Sequence, residues 1–63
     1  MTTYNVYELI GNFCEKVFES DNFYEIQDYL TNRFNQAVEN GDYENTEADE
    51  ELFFSYFSIE DEK

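Results

Sequence analysis

The run NVYELIGNFCEKVFE, residues 5–19, decides how the chain is read. Its apolar residues recur at helical spacing. At about 100° per residue, Val6, Leu9, Ile10, Phe13, Cys14 and Val17 gather on one face, while Glu8, Glu15 and Glu19 fall opposite. Asn5, with Glu8 three residues on, has the spacing of a capping box. The pattern predicts a first helix over residues 6–19, in which Gly11 lies off the apolar stripe and costs about 1 kcal/mol. Cys14 then takes a core position as a small buried hydrophobe.

Working outward, ESDNFYE supplies a break, because Ser20, Asp21 and Asn22 are all good N-cap residues. A second helix is predicted over 23–39, with Phe23, Ile26, Leu30, Phe34, Ala37 and Val38 on one face and Asn40-Gly41 as its stop. Thr46, with Asp49 three residues later, opens a third helix over 47–57, whose first turn is crowded with acids that the helix dipole favours. The competing reading of LFFSYFSI, residues 52–59, is a strand, since the segment is rich in β-favouring residues. Such a strand would need another subunit to pair with. Proline is absent and glycine occurs only at 11 and 41, so turns are sparsely marked. These features together predict a single all-α domain over 1–63, a small three-helix bundle.

A 63-residue chain buries only about 60% of its unfolded surface and is marginally stable. Aromatic residues make up 21% of it, seven Phe and six Tyr, which is far from the composition of a disordered acidic tail. Sixteen acids stand against Lys16, Arg33 and Lys63, for a net charge of −13. That surplus excludes nucleic acid as a direct partner, since binding it requires Lys and Arg to neutralise phosphates. It disfavours an anionic membrane for the same reason. No apolar run approaches the roughly 20 residues that span a bilayer. The N-terminal stretch lacks the pattern of a signal peptide, and a lone cysteine points to a chain without disulfides.

Histidine is absent, which removes the common Ser-His and Cys-His nucleophile pairs. No glycine-rich phosphate loop occurs, and ENGDYENTEADEE satisfies no register of an EF-hand. The expectation is a non-enzymatic protein without cofactor or metal. The charge has a different use. Ordinary helix faces alternate signs, whereas the i,i+4 pairs Glu15–Glu19 and Glu47–Glu51 repel. An acidic ridge of Glu39, Asp42, Glu44, Glu47, Asp49, Glu50 and Glu51, with Tyr43 and an exposed Phe54 as aromatic anchors, is the candidate partner-binding surface.

In the stretches GDYENTEADEELFF and FSIEDEK the chain resembles the small acidic DNA-mimic proteins of phages and mobile elements, a group that includes anti-restriction, anti-CRISPR and glycosylase-inhibitor proteins. The likeness is one of composition and covers about the last third of the chain. It implies a stoichiometric inhibitor that fills the groove of a basic nucleic-acid-binding host enzyme in the bacterial cytoplasm. A second expectation, of another class, is a protein–protein adaptor or antitoxin-like module. It would bind through the C-terminal aromatic segment, with homodimerisation through the third helix open to it.

Overall fold

A computed structural model of the chain describes residues 2–62. Gly11 and Asn12 are the two-residue turn of a β-hairpin, not the middle of a helix. Gly11 has φ +62°, and no described non-glycine residue has positive φ. A glycine at the first central position is what a type II′ turn requires, and its twist matches that of the flanking strands. Strand β1, Thr3–Ile10, therefore pairs antiparallel with β2, Phe13–Ser20, closing at the pair Ile10↔Phe13. The helix expected over 6–19 is corrected on this ground. Val, Ile, Tyr and Phe fit a pleated sheet, and β1, as the central strand, is paired along both of its edges.

Helix α1 runs over Phe23–Glu39, at the boundaries expected. Helix α2 covers Glu47–Phe54, three residues shorter than expected. Ser55 caps it, and the chain then extends into β3, Phe57–Glu62. The segment at 52–59 is thus part helix and part strand, and the strand finds its partner inside the chain. β3 lies antiparallel to β1, which becomes the centre of a sheet in the order β2-β1-β3. Three strands and two helices make a small α+β fold, so the three-helix bundle is corrected as well.

Strand parity sorts the side chains into two faces. Tyr4, Val6 and Glu8 of β1, with Phe18 of β2 and Phe57 and Ile59 of β3 opposite them in register, share one face. Both helices cover it. The Tyr4 ring meets Phe23 of α1 edge-on at 5.1 Å, and Phe18 stacks on Tyr29 at 4.4 Å. Thr3, Asn5, Tyr7 and Leu9 of β1 share the other face with Cys14, Lys16 and Glu19 of β2 and Ser58, Glu60 and Glu62 of β3. Neither helix covers this face. Cys14 is accordingly exposed and not a core residue. Between the pairs Val6↔Phe18 and Tyr7↔Lys16 the register slips by one residue, leaving Val17 as a bulge.

The buried apolar core is Val6, Ile26, Phe34 and Phe53. It grades into an aromatic cluster in which Phe53 lies 5.6 Å from Phe34, 5.3 Å from Tyr43 and 5.2 Å from Phe57. The cluster ties both helices to β3. Arg33 of α1 supplies a polar tie beside it. Its guanidinium donates to both carboxylate oxygens of Glu8, at 3.0 and 3.2 Å, and to the Tyr29 hydroxyl at 2.6 Å. It also lies 5.4 Å from the centre of the Phe57 ring.

Candidate functional site: the acidic turn and helix α2

Local backbone chemistry builds the acidic segment. Helix α1 ends in a Schellman motif: Gly41, at φ +84°, donates to the Val38 carbonyl, and Asp42 donates to the Ala37 carbonyl, each at 3.0 Å. This turns the chain sharply after Glu39. At the start of α2 the Thr46 hydroxyl accepts from the Asp49 amide at 3.3 Å, while the Asp49 carboxylate accepts from the Glu44 amide at 2.7 Å. Two local hydrogen-bond networks thus shape residues 39–51 into a turn leading into a helix N-terminus.

The nine expected site residues fall into two groups. Glu39, Asp42, Glu44, Glu47, Glu50 and Glu51 are exposed. Asp49 is half-buried and committed to its backbone bonds. Tyr43 and Phe54 are half-buried too, packed against the core. The Tyr43 ring lies 6.4 Å from Phe34, and Phe54 lies 6.0 Å from Phe34 and 5.7 Å from Phe53. Phe54 is therefore not the free-standing ring that helical periodicity suggested, because α2 ends there and its last turn rolls onto α1.

Both described cations are engaged elsewhere. Lys16 pairs with Glu19 at 2.8 Å, and its hydrogen bond to that carboxylate holds the ammonium above its ordinary pKa. Burial works to lower the pKa of Arg33, but its hydrogen bonds to Glu8 and Tyr29 outweigh this and it too stands above the usual value. No described cation pairs with a carboxylate of residues 39–51.

A polar cleft of about 300 Å³ opens beside the turn, lined in part by Glu8, Arg33, Gln36, Asn40, Asp42 and Tyr43. Its one guanidinium is already bonded to Glu8. Among the described residues no group of three or more Asp, Glu or Cys side chains could hold a metal ion.

Reasoning along the sequence missed two features. One is the Glu8–Arg33 pair, which spans 25 residues and carries no local signal. The other is Asn5, assigned to a helix cap but placed in the central strand with 2% of its surface exposed. Comparison with family models, with curated proteins and with solved structures found no match. No helix among the described residues is long and apolar enough to cross a membrane.

Proposed function

We propose that this protein is a non-enzymatic acidic inhibitor that acts in the bacterial cytoplasm by occupying the basic, nucleic-acid-binding groove of a host enzyme, such as a restriction or CRISPR nuclease. One observation carries the reading. Six carboxylates of residues 39–51 are exposed, while both described cations are bonded to other acids. Acidic residues one helical turn apart, such as Glu47 and Glu51, have Cβ atoms about 5–6 Å from each other, close to the scale on which phosphates follow one another along a strand. A surface already shaped by local hydrogen bonds has less conformational entropy to lose on binding. Charge of one sign speeds encounter with a basic groove and makes the affinity fall with salt.

The test is the triple variant Glu47→Lys, Glu50→Lys, Glu51→Lys in a capture experiment from bacterial lysate at low and high salt. The native chain retains a basic nucleic-acid-binding protein at low salt, and added DNA displaces it. The variant retains none, with helix and strand content unchanged by circular dichroism. Equal capture by the variant rejects this surface.

A second reading, a protein–protein adaptor, is favoured by a different observation. Leu9, Ile10 and Phe13 at the hairpin tip are exposed, as are Leu52 and Tyr56, and the Leu9 amide bonds to the Tyr56 carbonyl at 2.7 Å. Binding through that apolar patch would persist or strengthen at high salt, so the same capture experiment separates the two.

A further inference from the structure

The uncovered sheet face contains a buried acceptor with no donor. Asn5 is the third residue of the central strand, 2% exposed, and its Oδ1 has no hydrogen-bond partner among the described residues. An amide oxygen withdrawn from water without a partner is destabilising, and native structures hold few of them. A valine in this position would suit the strand better.

Its surroundings suggest what the missing donor is. Asn5 is paired in register with Glu19 on one side and Glu60 on the other, and Glu62 lies one pair further along the same face. Residues directly opposite on neighbouring strands have Cβ atoms about 4.5–5.5 Å apart. Asn5 is therefore flanked on both neighbouring strands by an acidic residue, and the one described cation on that face, Lys16, is bound to Glu19. The Lys16 and Glu19 side chains on that face are long and 43% and 57% exposed, so both can change rotamer as a ligand approaches.

We infer that this face is a second docking site, in which a lysine or arginine side chain of a basic partner protein enters between Glu19 and Glu60 and donates to Asn5 Oδ1. The inference rests on the proposed function for the cationic character of the partner, but it assigns contact to a face other than the acidic turn. The incoming cation meets two charges and the orphaned acceptor at once. Charge-assisted hydrogen bonds of this kind are the strong ones.

The test uses the full chain labelled with ¹⁵N and an octaarginine peptide at low salt. The expected result is saturable movement of the Asn5 side-chain amide signals together with the backbone signals of Glu19 and Glu60. Asn5→Val should melt at a higher temperature than the native chain yet bind the peptide about tenfold more weakly. Glu60→Gln should weaken binding with little change in melting. Movement confined to residues 39–51 overturns this inference and leaves the proposed function standing. Movement confined to the sheet face upholds it and removes the acidic turn as the contact surface. Shifts spread evenly over all acidic residues, or none at all, overturn it. Unchanged affinity in Asn5→Val overturns it irrespective of the shifts.

Discussion

At the scale of single residues, Gly11 and Arg33 do work that no neighbour can take over. A Cβ at Gly11 would meet nothing within 4 Å, so any cost of Gly11→Ala comes from its φ of +62° and not from a clash. The left-handed region costs an ordinary residue about 1–2 kcal/mol, which is a large part of the stability of so small a domain. Gly11→Ala is expected to lower the unfolding free energy obtained from a urea titration by about that amount, whereas Asn12→Ala changes it little. Equal effects at both positions would contradict the turn assignment. Arg33 shows how one long-range contact combines several energies. The Glu8 carboxylate, the Tyr29 hydroxyl and the Phe57 ring all surround the same guanidinium, so helix α1 is oriented across the sheet by polar geometry as well as by apolar burial.

The elements differ in how far they can stand alone. Helix α1 has an N-cap, with Asn22 accepting from the Tyr24 amide at 2.9 Å, a Schellman stop and an apolar face, so its limits are set locally. Helix α2 has eight residues, well below the length at which an isolated helix is stable in water. It is held by its cap, by Glu47, Asp49 and Glu50 near the positive end of its dipole, and by burial of Phe53. Thr46→Ala removes the cap and is expected to cost about 1 kcal/mol. Hydrogen exchange should quicken at the amides of residues 47–51 before those of α1. If protection there is unaffected, the cap is not what holds the element that presents the acids. Strand β3 stands alone least of all. Glu60, Asp61 and Glu62 are poor strand formers, and pairing with β1 is what keeps them extended.

For the whole molecule, charge and size act together. The fold measures 37 × 27 × 17 Å, and the Debye length is about 30 Å at 0.01 M ionic strength but about 8 Å at 0.15 M. At low salt nearly every carboxylate repels nearly every other, and at physiological salt only near neighbours do. With a net charge of −13 the free protein is expected to melt at a higher temperature as salt is added. Under the proposed function, its hold on a basic partner should weaken over the same range. Opposite slopes in one salt series are the mark of charge kept for binding at the expense of folding. A melting temperature that does not move with salt would show that self-repulsion is not part of the balance.

The sequence by itself determined helix α1 to its ends, the cap at Thr46, the stop at Asn40-Gly41 and the uncompensated acidity. Each of these depends on residues within a turn or two of one another, or on composition alone. The hairpin was within reach, because Gly11-Asn12 between apolar runs is a two-residue turn signal. Val6, Leu9, Ile10, Phe13, Cys14 and Val17 also fit a helical period, however, and the bulge at Val17 breaks the alternation that would have marked β2. Only the tertiary structure decided that β1 is central, that an acidic C-terminal segment pairs with it, that Phe54 turns inward and that Asn5 is buried opposite Glu19 and Glu60. Each of those outcomes joins residues far apart in the chain. A strand is stabilised by the neighbour it meets across the sheet, and local periodicity carries no record of which neighbour that will be.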